Sequence, residues 1–595
     1  MTTKSIAEQP LMKLALLLGL ACSLAVLPSF LGDYYLHMAM LSFSAMLLGL
    51  GHRLLYLTGQ ASYGHGAFYA LGAYVTAIGT TSAGMSAWSS LLLAAILPGI
   101  VAFALSAVAF RTRGAYFVLL SFGIAVVVHS LLTSLKGFTG GNSGIMNIPP
   151  LTGLSSVSHH YYFLGGVFIA VLSSFIILER SRWILELRSI GQSANLAASV
   201  GIPAQSNMTL ALIVGASIAG ALGGIFASYT TFVSPAAHTF WTSIFILTFT
   251  VVGGAAYMMG PIVGAAYITL VPLLFNWSQS LVGMFVAASI AAVMLVVPEG
   301  IVTTTITRSK RSKEQTPVAD EVADVRGSDT DLIERLKHAP GARRGGKLDV
   351  VGLSHSFGGL QTTKDVTFSA APGECLGIIG PNGAGKTTLF NLISGFVPAK
   401  IGDLLLDGQR LNGLAPERVQ QLGLTRTFQS SVAFEELSVF ENVLLGAWGS
   451  QTSIPIGERY FTNRYRDPEW HGRVIDTIEL FGLSAVKDVK ARELPYGLKK
   501  LLGLAVGFAT RPSVLCLDEP VAGMTNAEVE RMISTLKVIR KSFGTTMLLV
   551  EHRMPVVMGV CDRIIVLNFG EVIATGTPSE VSQNPLVHEV YFGSQ

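Results

Sequence analysis

The segment CLGIIGPNGAGKTTLF, Cys375 to Phe390, runs from an apolar stretch through a glycine-rich turn into a helix-forming stretch, and from Gly380 to Thr387 it matches G-x-x-x-x-G-K-[ST]. Each residue type there has a chemical use. The glycines let successive backbone N–H groups wrap a phosphate, and the helix N-terminus favours its charge. Lys386 can reach the outer phosphates, and the Thr387 hydroxyl can bind magnesium. Gly380, Pro381, Asn382, Gly383, Ala384, Gly385, Lys386, Thr387 and Thr388 are therefore candidate nucleotide-binding residues. Further on, RPSVLCLDEP, Arg511 to Pro520, predicts a buried parallel strand ending in Asp518 and Glu519, at the edge where open α/β sheets bind ligands. Asp518 is placed to hold magnesium, and Glu519 to orient or deprotonate an attacking water.

These motifs sit in the second half of a 595-residue chain, too long for one typical domain. Half the residues are hydrophobic and 13% are charged, well below the share in soluble chains. Residues 1–307 hold 9 Lys/Arg and 5 Asp/Glu, whereas the rest holds 32 of each sign, so the net charge of +4 lies in the apolar half. No dense basic patch accompanies it, which argues against nucleic acid as a partner. Cys22, Cys375, Cys516 and Cys561 are widely spaced and suggest neither a disulfide framework nor a zinc site.

The first half supplies repeated apolar runs of membrane-spanning length. Ten spans are predicted, near 14–31, 38–57, 62–80, 91–110, 115–135, 161–178, 207–230, 242–258, 261–277 and 280–297. With ten, Lys4, Lys13, Arg53, Arg111, Arg113, Arg180, Arg182, Arg188, Arg308, Lys310, Arg311 and Lys313 all fall on one side, which the charge bias makes cytoplasmic, along with both ends. The first span reads as a retained helix rather than a cleaved signal. Within GQASYGHGAFYALGAY, Gly59 to Tyr74, the polar Gln60 and His65 stand among small residues. His65 fits either pathway lining or a structural hydrogen bond. His129 is expected to be a satisfied interior histidine, and FTGGNSGI, Phe138 to Ile145, a turn. The loop Glu179–Pro203 predicts a short cytoplasmic helix that docks on a soluble surface.

Residues 308–346 read as a charged flexible linker, with a helix around Asp331 to Lys337, and residues 347–595 as a nucleotide-binding domain. The fold class expected is thus a polytopic α-helical membrane domain, residues 1–307, followed by an α/β P-loop domain.

At this point the chain resembles the ATP-binding cassette family. RTFQ places Gln429 at the position of the glutamine that senses the metal and contacts the membrane domain. MLLVEH places His552 as the switch histidine on the γ-phosphate, and SFGG places Phe357 as the aromatic that stacks on adenine. The signature, usually LSGGQ, stands here as LPYGL, Leu494 to Leu498, so Pro495 replaces the serine and lacks its hydroxyl and N–H. Pro495, Tyr496 and Gly497 occupy the positions that would face ATP. Thr525 stands where the family has an aspartate in the following loop.

The segments GPNGAGKTTLFNLISGF, GLTRTFQ, FENVLLGAW and LDEPVAGMTNAE resemble one ATPase of the branched-chain amino-acid (Liv-type) importers, in which YG often replaces GG. GQASYGHGAFYALGAY, RGAYFVLLSFGIA and SRWILELRSIGQSANLAASVGI resemble the same system's permease. The resemblance implies ATP and Mg²⁺ as cofactors, catalysis by Glu519, His552 and Gln429, and metal binding by Thr387, Gln429 and Asp518. It also implies a second permease and a second ATPase, as a heteromer rather than a homodimer, and an extracytoplasmic substrate-binding protein, all at a bacterial cytoplasmic membrane. The small-molecule substrate suggested is a branched-chain or other hydrophobic amino acid. Urea, short amides, aromatic acids and a non-transporting sensor remain alternatives.

Overall fold

A computed structural model of the chain describes Cys22 and residues 25–112, 114–275, 277–311, 329–339, 341, 343–429, 432–449, 451, 459–460 and 468–592. The expected span near 14–31 lies largely outside them, as do residues 312–328 of the linker and Lys4, Lys13, Arg113 and Lys313 of the orientation argument. The chain divides into two bodies. One comprises the residues up to Gly191 with Gln205–Gln315, and the other Gln192–Ala204 with Thr316 onward.

The first body is helical. Seven of its described helices are long and apolar enough to cross a membrane: Asp33–Tyr56, Ala87–Ala109, Ala115–Ser134, Val157–Leu178, Ala204–Thr230, Pro235–Gly253 and Ser280–Thr307. The expected count of ten is corrected accordingly. The runs near 62–80 and 261–277 form helices of 17 and 16 residues, His65–Thr81 and Met259–Leu274. At 1.5 Å per residue these fall short of a hydrocarbon core of about 30 Å.

Leu92, Ile96, Ile100 and Phe103 recur at helical spacing on an exposed apolar face. The inner faces are instead built from small residues. A Cβ at Gly72 would overlap the backbone of Gly220, and one at Gly223 the carbonyl of Tyr69, so the helices His65–Thr81 and Ala204–Thr230 approach backbone to backbone. Arg53 is fully buried and donates to both carboxylate oxygens of Glu179, at 2.9 and 3.1 Å, and to the Ala255 carbonyl at 2.7 Å.

FTGGNSGI forms more than a simple turn. Gly140, Gly141 and Gly144 take positive φ, and the segment ends in β1 (Ile145–Met146), which pairs antiparallel with β2 (Phe232–Val233).

The second body is α/β. The strands β3 (Leu348–Phe357), β4 (Leu360–Ala370), β6 (Ile401–Leu406) and β7 (Gln409–Arg410) form an antiparallel sheet in the order β4-β3-β6-β7. The other sheet runs β12-β11-β5-β10-β9-β8, with β5 (Cys375–Ile379), β8 (Leu424–Arg426), β9 (Val514–Asp518), β10 (Thr546–Val550), β11 (Arg563–Asn568) and β12 (Glu571–Gly576). Every residue of β5, β9 and β10 is buried, as expected of central parallel strands covered on both faces. The linker helix is present as Thr330–His338, capped by Asp329, whose carboxylate accepts from Leu332 N at 3.0 Å. All four cysteines are free, but the fold brings Cys375 and Cys561 Sγ within 3.9 Å.

Candidate functional site

The glycine-rich turn leaves β5 and enters the helix Lys386–Ile393, with Gly380, Gly383 and Gly385 all at positive φ. A Cβ at Gly380 would collide with the Leu567 carbonyl and one at Gly385 with that of Thr362, so the curvature depends on glycine at both positions. Lys386 is buried inside the turn, its Nζ donating to the carbonyls of Gly380 and Pro381 at 2.8 and 2.9 Å. Burial lowers its pKa, and the carboxylates of Glu519 and Asp518 oppose that shift. Asn382, Gly383 and Thr387 are exposed, Thr388 and Pro381 half-buried, and Ala384 buried.

Parallel pairing of β10 with both β5 and β9 sets three strand ends side by side. β5 presents the turn, β9 presents Asp518 and Glu519, and β10 leads to His552. Glu519 has φ +49, a costly conformation for a non-glycine residue, fixed by its N–H donating to the Val550 carbonyl at 2.9 Å. Its Oε2 accepts from Gln429 Nε2 at 2.5 Å, and its Oε1 lies 3.2 Å from His552 Nε2. The three residues expected to act together, Gln429, Glu519 and His552, are therefore in contact.

Asp518 is buried and its Oδ2 pairs with Arg426 Nη2 at 2.8 Å. Arg426 also donates to Asn391 Oδ1 at 2.5 Å and lies over the rings of Phe390 and Phe428. A second buried cation, Lys500, donates to the main-chain carbonyls of Gln429 and Glu519 at 3.1 and 3.4 Å. Burial lowers its pKa, against the pull of Glu551, Glu519 and Asp518. Sequence reasoning assigned neither residue a role. Arg426→Ala leaves a buried carboxylate unpaired and is expected to cost about 3–5 kcal/mol. The measurement is the melting temperature of the detergent-solubilised protein, which should fall clearly, with Arg426→Lys recovering part of the loss.

The residues present fit a bound Mg²⁺. The donor set of Thr387 hydroxyl, Asp518 carboxylate and Gln429 side-chain carbonyl is all oxygen, as that ion requires. Gln429 uses its NH₂ toward Glu519, leaving its carbonyl oxygen as an acceptor, and Asp518 keeps one oxygen outside the Arg426 pair.

Phe357 is half exposed at the end of β3, its ring edge-on to His355 at 4.5 Å, on the hairpin whose Thr362 carbonyl crowds Gly385. The signature residues stand elsewhere, at the start of the helix Tyr496–Ala509. Pro495 is its N-cap, Tyr496 is exposed, and a Cβ on Gly497 would overlap the Glu528 carboxylate. Thr525 caps the helix Asn526–Phe543 in a reciprocal box with Glu528, which gives the threonine found in place of aspartate a structural use.

The loop Glu179–Pro203 holds two helices, Arg182–Gln192 and Ala194–Ser199. The second belongs to the α/β body. It packs on the helix Pro416–Leu422, with Leu196, Ala197, Val200 and Ile202 buried, and Gln192 Oε1 accepts from Glu436 N at 2.8 Å.

In the helical body, a cavity of about 410 Å³ is lined by Tyr69, Phe226, Thr230, His238, Thr242 and Phe249 among others, with no Asp, Glu, Lys or Arg. His65 lies outside it. It is buried edge-on to His52, and both ring nitrogens lack a hydrogen-bond partner among the described residues, so the structural hydrogen bond expected as one alternative is not formed there. Gln60 is buried, and its Oε1 has no partner among the described residues. His129 is not the satisfied interior histidine expected, because its Nδ1 has no partner among the described residues.

Residues 34–298 match the family model of the permease component of branched-chain amino acid transport systems, and residues 363–522 that of ABC transporters. Residues 571–595 match that of the branched-chain amino acid ATP-binding cassette transporter. The high-affinity branched-chain amino acid transport ATP-binding protein LivG of Escherichia coli (strain K12) is 37% identical over 248 residues, 41% of this chain and 97% of that protein. BraF of Pseudomonas aeruginosa, of the same description, is 34% identical over 248 residues, again 41% and 97%. A probable LivG of Methanocaldococcus jannaschii is 31% identical over 242 residues, 40% and 93%. With a polytopic helical body and a P-loop ATPase body in one polypeptide, the chain belongs to the ATP-binding cassette transporters of the branched-chain amino acid transport family, as a permease fused to its ATP hydrolase.

Proposed function

We propose that the chain is one half of an ATP-driven importer for branched-chain or similar hydrophobic amino acids at a bacterial cytoplasmic membrane. The observation that carries this reading is the convergence of Lys386, Asp518, Glu519 and His552 on adjacent strand ends, in a chain whose other body is built of apolar helices.

In the proposed mechanism, the turn 380–388 wraps the phosphates of ATP, Lys386 turns its ammonium from the loop carbonyls to the outer phosphates, and Phe357 stacks on the base. Held by Thr387, Asp518 and Gln429, Mg²⁺ would neutralise phosphate charge as the terminal phosphoryl group leaves. Glu519 accepts the proton of the attacking water, and His552 and Gln429 position its carboxylate. Pro495, Tyr496 and Gly497 meet the ATP held by a second cassette. The helix Ala194–Ser199 carries closure of the cassettes to the permease.

In this reading both termini and the ATPase body lie in the cytoplasm. The chain is divided at 1–307, 308–346 and 347–595. One permease and one cassette make half a transporter, so a second permease, a second ATPase and an extracytoplasmic binding protein complete it. The altered signature favours a heteromer, because a homodimer would put LPYGL at both ATP sites. The uncharged cavity of about 410 Å³ suits a neutral zwitterion with an apolar side chain.

In proteoliposomes containing the complete complex, a binding protein loaded with leucine is expected to raise ATP hydrolysis several-fold above the rate with unloaded binding protein. Unchanged hydrolysis with loaded and unloaded binding protein would favour the sensor reading.

A further inference from the structure

The α/β body holds a second cavity, of about 730 Å³, at the C-terminal ends of the helices Thr330–His338, Tyr496–Ala509 and Asn526–Phe543. None of the site residues described above lines it. Seven of its nineteen lining residues are Lys, Arg or His, and none is Asp or Glu. Arg343, Arg344, Arg511 and Lys541 form no ion pair among the described residues. Arg343 Nη2 donates to the Gln421 carbonyl at 2.5 Å, while its Nη1 is buried without a partner. Arg511 sits at φ +55 and donates to the Ala339 carbonyl at 2.6 Å. Burial pushes its pKa down to about 10, which leaves it charged at neutral pH.

The simpler explanation is that these cations offset the negative ends of the three helices. Each helix C-terminus carries roughly half a negative charge, so three balance about one and a half of the four positive charges. About two and a half remain, facing a cavity with no carboxylate. On another wall, the rings of Phe508 and Phe543 meet at 4.8 Å and 70°, giving an apolar surface beside the cations.

We propose that this cavity binds a phosphorylated small molecule carrying a planar ring, at a site separate from the glycine-rich turn. Guanidinium groups bind phosphate oxygens through paired, charge-assisted hydrogen bonds, and the volume lies in the range of small-ligand sites. The site is placed for regulation. Two of the helices that end at it begin at the opposite end with the signature residues and with Thr525.

The test uses the full-length protein in detergent, loaded with Mg²⁺ and AMP-PNP and then freed of unbound nucleotide, so that the glycine-rich turn is filled and the cavity is left open. Fluorescence anisotropy then follows titration of N-methylanthraniloyl-GDP. The expected result is saturable binding that is displaced by inorganic pyrophosphate. Binding should weaken at least about tenfold in Lys541→Glu and in Arg343→Gln, the scale of one charge-assisted hydrogen bond. Lys541 is exposed, so its replacement does not threaten folding. AMP-PNP affinity, measured separately, should be the same in both variants as in wild type. Absence of saturable binding in the wild type, failure of pyrophosphate to displace the probe, or equal affinity in Lys541→Glu would overturn the proposal.

Discussion

Replacing Glu519 with Gln is expected to lower ATP turnover by about 10²–10⁴-fold, the usual contribution of a general base, while ATP binding stays near its wild-type affinity. Gln has nearly the same shape as Glu, and its amide oxygen can still accept from Gln429, so the contact seen at 2.5 Å survives. What is lost is the basic oxygen beside His552 Nε2. The backbone strain at φ +49 is set by the strand junction and is unaffected by the side-chain change. Phosphate release and nucleotide affinity, measured on the same preparation, separate this from misfolding, which would lower both. Wild-type turnover in Glu519→Gln would remove Glu519 from the proposed role.

The second large effect is expected from Ala197→Asp. Ala197 is fully buried in the helix Ala194–Ser199, next to Leu196 and above the helix Pro416–Leu422. A carboxylate buried there must be hydrated or expelled, at a cost of several kcal/mol. The short helix has only six residues, four of them buried, so undocking is the cheapest response. Transport should fall at least about tenfold, since each 1.4 kcal/mol lost from docking is tenfold in the docked fraction. ATP hydrolysis should continue without stimulation by the loaded binding protein. If transport and hydrolysis keep their coupling in this variant, the helix does not transmit the ATPase cycle.

The parts legible in the sequence were those encoded locally. The glycine-rich turn and the strand ending in Asp518–Glu519 each need only neighbouring residues, and both stand in their expected strand and loop contexts. The pairing of Gln429, Glu519 and His552 depends on β8, β9 and β10 lying side by side, an order that chain order alone does not dictate. Family spacing supplied it. Arg426 and Lys500 were missed because nothing in their neighbourhoods separates them from surface cations, and only burial beside Asp518 and Glu519 marks them.

In the helical body, the glycines that made the sequence look permease-like also blurred its spans. Gly59 and Gly254, at positive φ, stand just beyond the helices Asp33–Tyr56 and Phe240–Gly253, so the apolar runs outlast the helices that carry them. His65 and His129 were judged by type, whereas their unpartnered ring nitrogens depend on what other helices bring near them.

ATP-driven uptake in proteoliposomes tests the central claim most directly. The complete complex is reconstituted with Mg-ATP inside and leucine-loaded binding protein outside, using either this chain or its Glu519→Gln form. Leucine accumulation is expected only with the wild-type chain, internal ATP and external binding protein together. Equal accumulation without ATP, or with Glu519→Gln, would contradict the assignment of this polypeptide as a permease driven by its own ATPase body.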